Sequence, residues 1–274
     1  MSSRLELKLS ACMLYVYSNL TLGNAKASER GLEIIRECLR KEMAAPTSER
    51  NTAYCVFAGY VGTVLLHLST EELPDMKKYM SSLPQGLRIF AASMISHALY
   101  LNGEYSRALG ICDAALFSCK EIYPVGMIYL YCVTAMCEIS LKNPAEAEKA
   151  ILTAWKLAEK DELIEPFIEL HGLLQGLLES CIRKENPEMY RKISDAVITF
   201  SRGWMAVHNP ASDRPVTDAL TTMEFSIAML ACRDWSNREI AEHIGVSLNT
   251  VKHYLTDIFN KLHVKKRDEL KISY

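Results

Sequence analysis

Asn249, Lys252, His253, Thr256 and Asn260 follow one another at spacings of three, one, three and four residues. On an α-helix that spacing places all five on one face. Each can donate or accept a hydrogen bond, and none is a large apolar group. Such a face has what a helix needs to lie in the major groove of DNA and meet base edges. It would equally suit plain hydration, which accounts for most polar helix faces, so the surrounding elements have to decide. On the opposite side Val251, Leu255, Ile258 and Leu262 recur at four, three and four residues. That stripe must pack inward.

The elements that would hold this helix are marked by their ends. Thr221-Thr222-Met223-Glu224 has capping-box spacing, so a helix is expected after Thr221, with Phe225, Ile227, Ala228, Leu230 and Ala231 on its core face. Ser236-Asn237-Arg238-Glu239 is a second capping box, opening a short helix that carries Ile240, Ala241 and Ile244. Gly245 supplies a tight turn and Ser247 caps the third helix. A short helix, a glycine turn and a longer helix make a helix-turn-helix.

Residues 220–270 resemble the LuxR-type DNA-binding domain along its length. The resemblance is carried by Leu220, Thr221, Glu224, the block "SNREIA", Val246-Ser247, "TVKHYL", Ile258, Lys261-Leu262, Val264 and Arg267, without a gap. It implies that Lys252, His253 and Thr256 face bases, with Asn249 beside them. It also implies phosphate contacts at Thr250, Lys261 and Lys265, which we extend to Ser247, Asn260 and Lys266. Three departures stand out: Thr222 in place of the usual proline, Asp234 where glycine is common, and Asp257 beside the reading face. The fourth helix, the family's usual dimer contact, has room for only about two turns, with Leu270 and Ile272 as its aliphatic residues. A homodimer is therefore expected through the helical body instead.

The chain carries a net charge of −2, which excludes a uniformly basic nucleic-acid coat but not a local basic surface. Over residues 245–274 Lys252, Lys261, Lys265, Lys266, Arg267 and Lys271 outnumber Asp257, Asp268 and Glu269. Phosphate attraction needs only that local excess.

Little in the rest of the sequence suggests catalysis. No Walker A, Gly-x-Gly-x-x-Gly or Gly-x-Ser-x-Gly pattern occurs, and the seven histidines do not cluster with cysteines at zinc spacing. No catalytic residue, cofactor or metal site is expected. Nine cysteines without a Cys-x-x-Cys pair fit small buried hydrophobes of a reducing, cytoplasmic compartment. No apolar run reaches the roughly 18 residues needed to span a bilayer, so no membrane role is expected.

Upstream, one amphipathic helical pattern follows another, so the fold class is all-α. Ser96, Ala108 and Ala115 are matched, 39 residues later, by Ala135, Ala147 and Ala154. Small residues at such positions let stacked helix pairs approach. The stretch "LNGEYSRALGICDAAL" resembles a tetratricopeptide repeat, with Gly103 and Tyr105 at its turn. The expected organisation is a tetratricopeptide-like helical-repeat body over 1–207, a linker over 208–219 and a small LuxR-type helix-turn-helix domain over 220–274. This order resembles the C-terminal part of MalT-like regulators without their ATPase module. The expectation is a transcription regulator whose body receives a ligand or protein signal and whose partners are double-stranded DNA and RNA polymerase. The alternative is an interaction scaffold whose helix-turn-helix does not bind DNA.

Overall fold

The structure, a computed structural model, describes residues 2–65, 73–208 and 220–270. Among these every regular element is helical. They form two compact units, 1–133 and 134–274. The first holds α1 (Ser2–Thr21), α2 (Ala25–Ala44) and α3 (Glu49–Tyr60), which continues as a π turn over Val61–Leu65. A 3-10 stretch (Met76–Ser82), α4 (Gln85–Leu101), α5 (Tyr105–Ser118) and the first part of α6 (Pro124–Ser140) complete it. The second takes the rest of α6, then α7 (Pro144–Ala158), α8 (Glu165–Glu169), a π turn (Leu178–Ile182), α9 (Arg183–Glu185) and α10 (Pro187–His208). It ends with α11 (Thr222–Cys232), α12 (Asn237–Ile244), α13 (Leu248–Leu262) and a 3-10 turn at Arg267–Glu269. Apart from His208, the last residue of α10, the expected linker lies outside the described residues, as do Lys271 and Ile272.

The helices pair as hairpins because three connections end in the same way. Gly103 is left-handed (φ +76°), its N–H donates to Tyr100 at 2.9 Å, and the Glu104 N–H donates to Leu99 at 2.9 Å. Those two bonds close a helix end on its last orphan carbonyls. Thirty-nine residues on, Lys142 (φ +63°) donates to Ile139 and Asn143 to Glu138 in the same pattern. The starts of α4 and α6, and those of α5 and α7, are separated by the same 39 residues. Gly23 (φ +70°) donating to Leu20 and Asn24 to Asn19 repeat the turn between α1 and α2, which the sequence reading did not single out. Small residues sit where close approach demands them: Ser96, Ala108, Ala135, Ala147 and Ala154 are fully buried, Ala115 half so.

Between α1 and α2, Leu9, Val16 and Leu20 interlock with Leu32, Ile35 and Leu39, all buried. A side chain on Gly31 would come within 2.7 Å of Val16, so the two helices touch closely there. Buried Glu42 at the end of α2 accepts hydrogen bonds from the Thr47 N–H (2.8 Å) and the Thr52 hydroxyl (3.2 Å), pinning the turn into α3. Burial by itself pushes that carboxyl up, but the donors on Thr47, Ser48 and Thr52 together hold it below its ordinary range. Burial also pushes the Cys55 thiol up to about 12 and Cys181 to about 11, which makes both poor nucleophiles. Among the described residues no disulfide forms, and no helix is long and apolar enough to cross a membrane.

Candidate nucleic-acid interface

Two short helices, α11 and α12, position α13. The Thr221 hydroxyl accepts from the Glu224 N–H at 3.3 Å while the Glu224 carboxylate accepts from the Thr221 N–H at 2.7 Å. Ser236 and Glu239 repeat this reciprocal cap on α12 at 3.2 and 2.7 Å. Gly245 takes the left-handed conformation (φ +75°), and its N–H and that of Val246 both close on Ala241 at 3.0 Å. The Ser247 hydroxyl then accepts from the Thr250 N–H at 3.1 Å and starts α13. Asp234, at the position where the resemblance leads one to expect glycine, is indeed left-handed (φ +60°).

Val251, Leu255 and Ile258 are buried, and they face a core that includes Ile227, Ala228 and Leu230 of α11 and Ile240, Ala241 and Ile244 of α12. That seam leaves the other side of α13 in solvent. Asn249, Lys252, His253, Thr256 and Asn260 are all exposed on it, and Asp257 is exposed beside them. The Thr256 hydroxyl donates to the Lys252 carbonyl at 2.9 Å, which leaves its oxygen able to accept. Ser247, Lys265 and Lys266 are exposed at the two ends of α13, and Thr250 is half-buried.

Two basic residues counted toward the local positive excess are used inside the domain. Lys261 places its amine 2.7 Å from both oxygens of Glu224, tying the end of α13 to the start of α11. Burial pushes the Glu224 carboxyl up, but the Lys261 hydrogen bond and the Thr221 donors outweigh it and hold it low. Arg267 donates to the carbonyl of Ala231 at 3.1 Å, to the side chain of Asn237 at 3.0 Å and to the Trp235 carbonyl. It thereby staples the final turn under the α11–α12 corner. Among the described residues that stretch is a single 3-10 turn, and the rest of the expected fourth helix lies outside them.

Helices α11 and α12 also pack on the preceding helices of the second unit. The His243 ring of α12 donates from Nε2 to the Gln175 carbonyl at 2.9 Å and tilts against Trp235 at 5.3 Å. Next to it the backbone of Gly176, left-handed at φ +85°, lies against Ile244; an added Cβ would sit 2.3 Å from its Cδ1. Arg233 donates to the Ser140 hydroxyl, which also accepts from Gln175 at 3.2 Å. Underneath lies a fully buried pair, His171 and Glu179 at 3.0 Å. Burial pushes Glu179 up; the charge and hydrogen bond of His171, aided by the Ser226 hydroxyl of α11, overcome it and hold the carboxyl low. A cleft of about 320 Å³ opens beside this contact, walled by Glu148, Cys181 and Lys184 on one side and Trp235, Glu242 and His243 on the other. None of these contacts covers the polar face of α13.

Residues 218–273 match the family described as bacterial regulatory proteins, luxR family. A probable transcriptional regulatory protein, SgaR of Hyphomicrobium methylovorum, is 28% identical over 94 residues, covering 31% of this chain and 40% of that protein. The chain thus matches less than half the length of that curated relative. No solved structure matches. The C-terminal part of the chain is a LuxR-family helix-turn-helix domain on an otherwise all-α chain.

Proposed function

We infer that the chain is a transcription regulator that binds double-stranded DNA through α13. The observation that carries the reading is the exposed face of Asn249, Lys252, His253, Thr256 and Asn260, opposite a buried seam, within a domain of a regulator family. The description of the SgaR relative as a transcriptional regulator supports it. Lys252, His253, Thr256 and Asn249 read base edges in the major groove. Ser247, Thr250, Asn260, Lys265 and Lys266 meet phosphates, which fixes the register. Lys261, engaged by Glu224, holds α13 in place.

Residues 1–207 act as a tetratricopeptide-like body that receives a ligand or a protein, residues 208–219 as the linker and 220–274 as the reading domain. The contact of His243 and Ile244 with Gln175 and Gly176 supports a route for the signal, because whatever shifts those residues shifts the base of the reading helix. The adjoining cleft gives a small molecule a place to wedge between the two sides.

Footprinting of genomic DNA by the full chain tests the reading. Lys252→Ala should weaken a footprinted site by about 1–3 kcal/mol while leaving random duplex almost unchanged. Lys265→Ala should weaken all sequences alike and flatten the salt dependence. Equal losses on specific and random DNA for both variants would overturn the division of roles. The absence of any protected site would favour the scaffold reading.

A further inference from the structure

Helix α1 exposes a continuous uncharged stripe. Leu7, Ala11, Leu14 and Ser18 recur at four, three and four residues, Leu22 follows just past the helix end, and all five are exposed. The three leucines are 71, 68 and 79% exposed, far more than a leucine in a helical core shows. The inner face of α1 is already satisfied by Leu9, Val16 and Leu20, all fully buried. The stripe is therefore additional to what holds the unit together, and it is the seam of a helix that expects a second partner.

We propose that this stripe pairs with the α1 of a second copy, the two helices running antiparallel about a two-fold axis near residues 12 and 13. The stripe alternates large and small: leucine, alanine, leucine, serine. Antiparallel pairing sets Leu7 against the partner's Ser18 and Ala11 against the partner's Leu14, so both leucines within the helix meet a small residue. Interdigitation of that kind is what close helix packing requires. Parallel pairing would instead stack leucine on leucine and leave gaps at Ala11 and Ser18.

Charge points the same way. Arg4 and Lys8 are exposed at the start of α1, while its last turn carries no basic residue. An antiparallel partner brings those cations to the negative end of the opposite helix dipole, whereas a parallel one would put them against their own copies. A contact in which the same patch is used on both sides is what a closed two-fold dimer needs.

The area sets the strength. A 20-residue helix is about 30 Å long and about 10 Å wide, so the strip falls short of the roughly 800 Å² per partner of a standard interface. The dimer is reversible, with a dissociation constant on the order of micromolar. Two copies held on neighbouring half-sites would close it at far lower concentration.

The inference goes beyond the reading of DNA and is tested without any. Sedimentation equilibrium of the full chain across about 1–100 μM should show a monomer–dimer equilibrium. Leu14→Glu should leave only monomer, and Leu7→Gln and Lys8→Glu should each weaken the dimer several-fold. Ala11→Leu discriminates most sharply. It adds apolar surface, yet it should weaken an antiparallel dimer at least tenfold, by collision with the partner's Leu14. All four positions are exposed, so circular dichroism and melting temperature should stay as in the parent chain. A chain that is monomeric throughout the range, a dimer indifferent to Leu14→Glu, or tighter association of Ala11→Leu would each overturn the proposal. DNA footprints obtained on the same preparations report separately on α13.

Discussion

At the scale of single residues, Glu224 has two jobs that share one carboxylate. One oxygen closes the cap on α11, and both receive the amine of Lys261 from α13. Glu224 is 94% buried at its side chain and Lys261 is 39% exposed, so the pair is worth more than a surface bridge and less than a fully enclosed one. Glu224→Gln keeps the shape and one acceptor but leaves the amine without its counter-charge. It should cost about 1–2 kcal/mol, read as a shift of the denaturation midpoint. Lys261→Met should recover part of that loss in the double variant, because the stranded charge is then gone. Additive losses would show that the two residues do not act as a pair. Spacing revealed the cap, since a cap is local. The partners of Lys261 and Arg267 lie some 30 residues or more away in sequence, where no periodicity points to them. From the sequence, both therefore present themselves as cations facing outward.

At the scale of elements, the hairpins depend on small side chains and left-handed corners. Ala108 is fully buried in α5, and Ala108→Leu should force that hairpin apart at a cost of about 1–3 kcal/mol. Unchanged thermal stability would remove the close approach assigned to it. Gly176 poses a different problem. Its backbone is left-handed, and the added methyl would overlap the tip of Ile244. The Ile244 side chain can yield, but the backbone cannot relax without moving Gln175, the partner of His243. Gly176→Ala should therefore cost about 1–3 kcal/mol, part as backbone strain and part as a loosened contact with α12. Adding Ile244→Val should return the second part alone. Recovery of full stability in that double variant would show that the backbone carries no strain. The 39-residue repeat was legible, because small residues recur where hairpins close. The α1–α2 turn was not, because its small residues and its spacing differ while its backbone hydrogen bonds are the same.

At the scale of the molecule, the second compact unit joins the helix-turn-helix domain to the helices before it through a histidine. Burial holds the pKa of His243 below its ordinary 6.5; the hydrogen bond to the Gln175 carbonyl and the charges of Glu179 and Glu148 pull it back in part, and Lys184 adds to the lowering. The ring is thus neutral in the packed state. Its contribution to stability is complete above 6.5 and is lost as the pH falls through 6.5 toward the lowered value. Between about pH 7.5 and 5.5 the melting temperature should fall more for the parent chain than for His243→Gln, which offers a neutral donor to the same carbonyl. Parallel pH profiles for the two would refute this role. Glu42, Glu179, Glu224 and Glu239 act in another window. Their pKa values are held low, so their share is present above the ordinary value of 4.5 and vanishes as the pH drops through the lowered ones.

Helix α13, its two capped neighbours and its polar face were determined by the sequence alone, because caps, turns and 3.6-residue periodicity act within a few residues of one another. The left-handed turns at Gly103 and Gly245 belong with them, since a glycine at a helix end is a local signal. Only the tertiary structure decided which charges are spent internally, and which surface of the helix-turn-helix domain rests on Gln175 and Gly176. The apolar stripe on α1 belongs there too: Leu7 and Leu14, with Leu22 just past the helix end, have the spacing of a core face, and so do Leu9, Val16 and Leu20. The sequence cannot rank two apolar faces of one helix. Packing buries one of them against α2 and leaves the other in water.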